Sequence, residues 1–240
     1  MQQEKSNKYN ILVIGDSCTD IFKYGKCNRL APEGPVPVFV PTREKICGGM
    51  AKNVVNNITN SEIVTKTRYV EEKTNHLIMR VDTEGDKVRR YNNIKDLNLK
   101  KYRAIVISDY DKGFLSEDDI EYICSNHDLV FIDTKRIFGK WIQNAKFIKI
   151  NYPEYKATKN MINKDLEDKL LITMGGKGCK HKEILYPVEE VEVKDLTGAG
   201  DTFLSALCLK YITSENISES INYANECATL VVQMKGTTTP

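Results

Sequence analysis

The chain contains the run Asp195-Leu196-Thr197-Gly198-Ala199-Gly200-Asp201, followed at once by the amphipathic stretch Thr202 to Tyr211. Glycines at a strand-to-helix turn let backbone N–H groups converge, and a helix N-terminus adds positive potential. The turn is therefore a candidate anion site, beside which Asp201 could accept a proton from a hydroxyl. Two glycines alone are also typical of a tight turn in which Asp201 is only an N-terminal charge.

The rest of the chain alternates short β-branched runs with helical stretches, which predicts a largely parallel sheet covered by helices on both faces. Ser116 and Asp119 predict a capping box ahead of one helix. The predicted strands are Tyr9 to Ile14, Ala104 to Ser108, Leu129 to Asp133, Phe147 to Ile150 and Leu170 to Met174, and the predicted helices begin near Gly49, Ser116, Asp201 and Ser218. A single domain over residues 1–240 is expected from the length.

A hairpin is predicted between the Gly49 helix and the Ala104 strand. Residues 65–71 and 76–82 are strand-like, and the polar turn Glu72-Lys73-Thr74-Asn75 separates them. A hairpin inserted into a βα alternation is a candidate lid, which we expect at about residues 36–41 and 63–83. The proline-rich segment from Ala31 to Pro37 is expected to be an extended connection.

Composition narrows the classes of partner. With 35 Lys and Arg against 33 Asp and Glu, the net charge of +2 predicts neither nucleic-acid nor membrane binding. There is no apolar run of about 20 residues, and the polar N-terminus does not resemble a signal peptide. The seven cysteines form no C-x-x-C pair, so reduced thiols and a cytoplasmic location are expected.

The seven-residue run resembles the D-T-T-G-A-G-D signature of the ribokinase-like, or PfkB, carbohydrate kinases. This resemblance implies a three-layer α/β/α sandwich with a mostly parallel central sheet and a small β lid. It also implies that Asp201 is the catalytic base and that the amides of Gly198, Ala199 and Gly200 bind the transferring phosphoryl group. Leu196 departs from the usual threonine of the signature.

The resemblance continues on the sugar side. The run Gly15-Asp16-Ser17-Cys18-Thr19-Asp20 is similar to the family's G-D-x-x-x-D, which implies that Asp20 binds sugar hydroxyls. A carboxylate can accept two hydroxyl donors at once. Gly48, Gly49 and Asn53 match the glycine pair and the asparagine that close on the sugar. Taken alone, an aspartate after a strand is often only a turn former.

The nucleotide side matches as well. The N-x-x-E motif is similar to the run from Asn151 to Glu154, and it implies that Glu154 organises Mg²⁺ through water and phosphates. The resemblance leaves open a monovalent cation, K⁺ in some relatives, near Asp195. The remaining residues that the resemblance assigns to ATP are Lys135, Thr173, Gly175, Gly178 and Asn225.

A narrower resemblance is to the D-glycero-D-manno-heptose 7-phosphate kinases. It is carried by the block from Arg29 to Val38 and by Ser108-Asp109-Tyr110 and Asp133-Thr134-Lys135. A 7-phosphate needs fixed cations, which the predicted hairpin could supply. Those cations are Lys66, Arg68 and Arg80, and each is alternatively a solvated hairpin charge.

One departure bears on the acceptor. The family carries a strand, helix and strand between the Asn53 helix and the hairpin, and about one such crossover unit is missing here. Losing it exposes apolar faces, so a homodimer through the lid is expected. The expected activity is ATP-dependent phosphorylation of a sugar hydroxyl, with O1 of a heptose 7-phosphate as the first choice. Another sugar or nucleoside kinase of the family and a catalytically silent homologue remain alternatives.

Overall fold

The computed structural model describes residues 10–53, 57–60, 64–84 and 90–234, without the side chains of Asn53, 57–60 and Glu84. The strands are β1 Ile11–Lys26, β2 Val40–Met50, β3 Asn57–Asn60, β4 Val64–Glu71, β5 Leu77–Glu84, β6 Ala104–Asp109, β7 Val130–Thr134, β8 Phe147–Asn151, β9 Leu170–Thr173, β10 Cys179–His181 and β11 Ile184–Tyr186. The helices are α1 Glu117–Asn126, α2 Tyr152–Thr158, α3 Lys164–Glu167, α4 Ala199–Ser214 and α5 Ile217–Val232. Short 3₁₀ turns lie at Ala51–Asn53, Ile94–Asp96, Leu99–Lys101, Lys140–Ile142, Lys159–Met161 and Gly175–Lys177.

The central sheet has the order β11-β10-β9-β8-β7-β6-β1, and β3 pairs with the free side of β1. Pairing is parallel from β3 through β9 and antiparallel from β9 to β11. Strands such as β6 are buried along their whole length on both faces, as parallel strands between helices must be. The predicted parallel sheet is therefore confirmed.

Two apolar cores lie on opposite faces of this sheet. Alternate residues of β6 divide between them, so that Ile105 and Ile107 pack with Ile120 of α1, whereas Val106 packs with Phe203 and Leu207 of α4. This division follows from the two-residue period of a strand. The architecture is the predicted three-layer α/β/α sandwich.

The lid is a second sheet with the order β2-β1-β4-β5, and β1 belongs to both sheets. The predicted hairpin is confirmed, with Arg68 opposite Arg80 in the antiparallel β4–β5 pair. The Ala31–Pro37 segment is not extended as expected, because the N–H of Ala31 bonds to the carbonyl of Val36 and a bridge joins Leu30 to Pro37. Its prolines form a closed turn.

The helix expected near Gly49 is wrong. Gly48 and Gly49 pair with Thr19 and Cys18 of β1, so β2 continues to Met50, and the described residues that follow it, Ala51–Asn53, form a 3₁₀ turn. The described part of the segment between Asn53 and Val64 then holds the edge strand β3. The chain there is too short for a strand, a helix and a second strand.

Several local predictions stand. The Ser116 capping box is present, with both reciprocal hydrogen bonds to Asp119. The predicted first strand is longer than expected because β1 runs on into the lid, and its predicted first residue, Tyr9, lies outside the described residues. All seven cysteines are free. Across the described ranges, no helix has both the length and the apolar character needed to cross a membrane.

Candidate active site

The N-terminus of α4 forms the centre of the site. Gly198 caps the helix with a φ of 82°, a left-handed conformation that favours glycine. Asp201 lies in the first helical turn with only 7% of its surface exposed. The N–H of Ala199 makes a long hydrogen bond of 3.3 Å to the carbonyl of Leu196. The predicted turn and the predicted base are thus adjacent at one helix end, where the helix dipole favours negative charge.

Tyr110 contacts the predicted base directly. Its hydroxyl donates a hydrogen bond of 3.0 Å to Oδ1 of Asp201, 91 residues away in the chain. The ring also faces two ammonium groups, with Lys66 Nζ 5.5 Å and Lys135 Nζ 5.1 Å from the ring centroid. Sequence reasoning used Tyr110 only as part of a motif, and no local pattern assigns it a partner.

Behind the α4 turn lies a chain of ion pairs that is buried at Lys149 and Asp133 and partly buried at Lys135 and Glu154. Lys149 Nζ is 2.6 Å from Asp133 Oδ2, Asp133 Oδ1 is 3.3 Å from Lys135 Nζ, and Lys135 Nζ is 2.7 Å from Glu154 Oε1. Burial opposes the charge on Asp133, but the two lysines hold the pKa of its carboxyl below the ordinary value. Burial also opposes the charge on Lys135, yet Asp133 and Glu154 raise the pKa of its ammonium.

Lys149 was missed by sequence reasoning, and it explains why residue 200 is glycine. A Cβ on Gly200 would lie 2.9 Å from Lys149 Nζ, so a side chain there would press on the buried ammonium. The cation consequently lies directly beneath the predicted anion-binding turn. A clue was present in the sequence, since a lysine in the buried strand β8 requires a partner.

The Asn151 and Glu154 pair forms a capping box at the start of α2. Asn151 Oδ1 accepts from the N–H of Glu154 at 2.9 Å, and Glu154 Oε2 accepts from the N–H of Asn151 at 2.8 Å. Glu154 Oε1 meets Asn151 Nδ2 at 2.7 Å as well as Lys135. The motif therefore has a structural role, and a carboxylate so engaged suits contact with a metal through water better than direct ligation.

A cavity of about 460 Å³ lies on the other side of the turn. It brings together four of the residues predicted to contact ATP with two residues of the predicted anion site: Thr173, Gly175, Gly178, Asn225, Ala199 and Gly200. The rest of its wall includes Leu196 and the segment from Val188 to Val193, which sequence reasoning did not find. An apolar cleft with a helix N-terminus at one end can hold a ligand that combines an apolar part with an anionic group.

Asn225 and Asp195 have partners of their own. The buried amide nitrogen of Asn225 donates to the carbonyl of Tyr186 at 3.0 Å, so this side chain fastens α5 to β11 while also lining the cavity. Asp195 Oδ1 accepts from the N–H of Thr197 at 2.8 Å, which shapes the turn before α4. In the part of the chain that the structure describes, no three His, Cys, Asp or Glu side chains cluster as a metal site.

The predicted sugar residues meet where β1 enters the lid. Asp20, 3% exposed, pairs with Arg68, whose Nη1 is 2.5 Å from Oδ1. Gly49 makes room for the other oxygen, since a Cβ there would lie 2.2 Å from Asp20 Oδ2. A Cβ on Gly48 would instead meet Lys52. The Asn53 side chain lies outside the described residues.

Three predicted cations share one face of the hairpin with Asp20. Lys66 and Arg68 lie next to Asp20 and Phe22 of β1 in register, and Arg80 lies opposite Arg68. Arg80 is tied by two 2.6 Å hydrogen bonds to Asp82 on the exposed part of β5. The structure thus places Lys66 and Arg68 at the site and holds Arg80 in a solvent-facing pair.

The sugar side and the catalytic side are contiguous. Burial raises the pKa of the Cys18 thiol to about 11, and the negative charges of Asp20 and Asp201 add to the effect. Asp16 joins the two regions through the backbone, because its carboxylate accepts from the N–H groups of Tyr110 at 2.7 Å and of Lys112 at 3.2 Å. One continuous site therefore runs from the lid past Asp201 to the cavity.

Part of the chain matches a known family of enzymes. Residues 140–240, which hold the N-x-x-E motif, most of the cavity wall and the α4 turn, match the profile described as pfkB family carbohydrate kinase. Solved structures share the fold. The ribokinase of Thermotoga maritima has a TM-score of 0.70 at 15% identity, covering 94% of this chain and 93% of that chain. Phosphofructokinase-2 of Escherichia coli in complex with potassium has a TM-score of 0.71 at 13% identity, covering 96% and 95%.

Curated relatives match nearly the whole chain. The bifunctional protein HldE of a Nitratiruptor species is 28% identical, and that of Aliarcobacter butzleri is 29% identical, with 97% and 98% of this chain covered. The chain spans 63% of the length of each. The first alignment runs over 292 positions against 240 residues here, so that relative carries segments that this chain lacks. Together these matches show that residues 140–240 match the pfkB family carbohydrate kinases, that nearly the whole chain is similar to the HldE proteins, and that its fold is shared with the ribokinase of Thermotoga maritima.

Proposed function

We propose that the protein transfers the γ-phosphoryl group of ATP to a hydroxyl group of a sugar. The observation that carries this proposal is the position of Asp201, which lies beside the anion-binding turn at the end of the cavity and is contiguous with the Asp20 region of the lid. A carboxylate there can take the proton of an attacking hydroxyl while the turn stabilises the charged phosphoryl group.

On the donor side, we propose that ATP occupies the cavity and that its phosphates reach the amides of residues 198–200. Lys149 adds positive potential beneath that turn, and Lys135 adds it beside Glu154. Mg²⁺, when bound, neutralises phosphate charge, and Glu154 with Asn151 is the pair that suits holding it through water. A K⁺ site near Asp195 stays a prediction from the resemblance.

On the acceptor side, we propose O1 of a heptose 7-phosphate. Asp20 would hold sugar hydroxyls, and Lys66 with Arg68 would hold the phosphate, because both cations share the face of the lid on which Asp20 lies. The proposal is supported by the sequence resemblance to heptose 7-phosphate kinases and by the matches to bifunctional HldE proteins. Binding would require Arg68 to divide its donors between Asp20 and the phosphate.

A second candidate is a silent homologue that binds nucleotide without transferring phosphate. It is favoured by the short segment between Asn53 and Val64, because fewer residues are then available to enclose the acceptor than in the kinases that the sequence resembles. A third is a family kinase with another acceptor, such as the nucleoside of the Methanocaldococcus jannaschii nucleoside kinase, a neighbour with a TM-score of 0.67 and 16% identity.

The test is ADP release by the purified chain with ATP, Mg²⁺ and a panel of acceptors. The panel contains heptose 7-phosphate, heptose without phosphate, ribose, fructose 6-phosphate and adenosine. Release only with heptose 7-phosphate supports the full proposal, and release with another member keeps the kinase but replaces the acceptor. Absence of release with every member, alongside ATP binding by calorimetry, supports the silent homologue.

We also propose a homodimer through the outer face of the lid. On the face opposite Asp20, the four lid strands each contribute one residue to a row of register partners. These residues are Ile46, Ile21, Thr67 and Val81. Ile46 is 61% exposed and Val81 41%, an apolar surface that a second copy would cover. Light scattering at micromolar concentration should give a dimer mass that Val81→Glu reduces to a monomer, whereas a monomeric wild type contradicts the proposal.

A single domain and a cytoplasmic location remain predictions from the sequence.

A further inference from the structure

Tyr110 is held from three sides next to the proposed base. Its hydroxyl donates to Asp201 Oδ1, its backbone N–H donates to Asp16 Oδ2 at 2.7 Å, and its ring lies near the ammonium groups of both Lys66 and Lys135. Lys66 belongs to the lid, and Lys135 belongs to the ion-pair chain beside Glu154. The phenol therefore has a fixed place between the two halves of the site.

The hydroxyl of Tyr110 is the donor in this contact. Burial raises the pKa of Tyr110 well above its ordinary value, and the negative charges of Asp201 and Asp133 raise it further. The phenol consequently keeps its proton across the working range of pH. A hydrogen bond from a hydroxyl to a carboxylate is directional, so this 3.0 Å contact restricts rotation of the Asp201 carboxylate.

We propose that Tyr110 is a positioning residue for Asp201: its hydroxyl engages Oδ1, fixes the orientation of the carboxylate and keeps it ionised until it takes the proton of the acceptor hydroxyl. A carboxylate has two oxygens and several lone pairs, so it can accept from Tyr110 and from an acceptor hydroxyl together. Donation to the charged form favours ionisation, and it lets a buried carboxylate remain a base. This inference rests on the proposed kinase function.

The matched variants are Tyr110→Phe and, as a control, Tyr122→Phe, which removes the same hydroxyl from a ring of α1 packed against the core on the other side of the sheet from α4. In Tyr110→Phe, kcat should fall about tenfold or more with the KM for ATP unchanged. The acidic limb of the kcat profile should move to higher pH. Tyr122→Phe should leave both unchanged.

The variant leaves unchanged every other charged or titratable group around this pair, so the difference reports on the hydroxyl. Those groups are Asp16, Cys18, Asp20, Lys66, Arg68, Asp133, Lys135 and Lys149. An unchanged kcat with an unchanged acidic limb overturns the proposal. A raised kcat also overturns it, because the hydroxyl would then be blocking the base.

A second measurement separates this proposal from the kinase proposal. The ¹³Cγ resonance of Asp201, assigned by its loss in Asp201→Asn, should titrate at higher pH in Tyr110→Phe than in the wild type, whether or not any acceptor is phosphorylated. In the wild-type chain grown with 3-fluorotyrosine, whose phenol is a stronger donor, the same resonance should titrate at lower pH. Identical titrations in all three proteins overturn the proposal without bearing on the kinase activity.

Discussion

Lys149 Nζ lies 2.6 Å from Asp133 Oδ2, and the two side chains are 4% and 1% exposed beneath the first turn of α4. A cation at a helix N-terminus is disfavoured by the helix dipole, so Asp133 is needed to hold it there. The arrangement puts the ammonium group of Lys149 behind the proposed anion-binding turn. The position of Lys149 accounts for the glycine at position 200, which leaves room for the ammonium group, and for Asp133 in β7, which pairs with it.

Removing one member of that pair should be costly. In Lys149→Met, Asp133 keeps only its longer contact to Lys135, so the free energy of unfolding should fall by about 3 kcal/mol. Urea denaturation measures the change. The double variant Lys149→Met/Asp133→Asn should recover part of the loss, because it removes the unpaired charge. A single variant as stable as the wild type would show that the pair adds nothing to folding.

Asp201→Asn should separate binding from turnover. The amide keeps the shape of the side chain but cannot take a proton, so kcat should fall by roughly 10²–10⁴-fold while calorimetric ATP affinity stays nearly unchanged. Asp118→Asn, on the exposed side of the first turn of α1, is the control and should retain full activity. Near-normal turnover in Asp201→Asn would remove Asp201 from the mechanism.

Gly49→Ala should act on the acceptor alone. The new methyl group would lie 2.2 Å from Asp20 Oδ2 and 2.5 Å from Cys18 Sγ, so the Asp20 carboxylate must move. We expect the KM for the sugar to rise about tenfold or more at saturating ATP, with the KM for ATP unchanged. Gly34→Ala meets no atom within 4 Å and serves as the matched control. An unchanged sugar KM would argue against Asp20 as a sugar ligand.

Gly178→Ala should weaken the nucleotide cavity. Gly178 has a φ of 86°, and a Cβ there would lie 2.1 Å from the carbonyl of Tyr186, the same carbonyl that Asn225 holds. The variant should lose about 1–3 kcal/mol of stability and bind ATP more weakly. Gly176→Ala has open space around the new methyl group and should match the wild type in thermal unfolding. Equal behaviour of the two variants would contradict the packing described here.

The Ser116 capping box predicts a pH dependence of stability. Burial opposes ionisation of Asp119, but hydrogen bonds from Ser116 and the guanidinium of Arg90 lower its pKa below the ordinary value of 3.8. A lowered folded-state pKa stabilises the fold above the unfolded value and ceases to do so as pH falls through the folded value. Asp119→Asn should therefore cost about 1 kcal/mol at pH 7 and progressively less below about pH 4. A cost independent of pH would exclude the carboxylate charge as its source.

The sequence was sufficient for features that are decided locally. The strand β6 could be predicted because of its continuous apolar run from Ala104 to Ile107, and the capping box because Ser116 and Asp119 have the required spacing. The turn at Gly198 followed from the glycines that precede Asp201. Each of these depends on neighbours in the chain, where periodicity and turn chemistry act directly.

Features that depend on distant partners could not be predicted. The helix expected near Gly49 is replaced by β2 because pairing with β1 outweighs local preference. The Tyr110–Asp201 contact joins residues 91 positions apart, and the amide of Asn225 is engaged by a carbonyl 39 positions away. No spacing rule connects such residues, since only the packing of helices against the sheet brings them together.

The strand β1 is part of both the central sheet and the lid. Residues 11–15 of β1 pair with β6 in the central sheet, and residues 17–26 pair with β2 while 19–25 pair with β4 in the lid. The lid is thus not a separable module, because excising it would cut the strand to which β2 and β4 are both hydrogen-bonded. A lid graft from a relative would have to exchange β1 as well, and with it the strand that carries both Asp16 and Asp20.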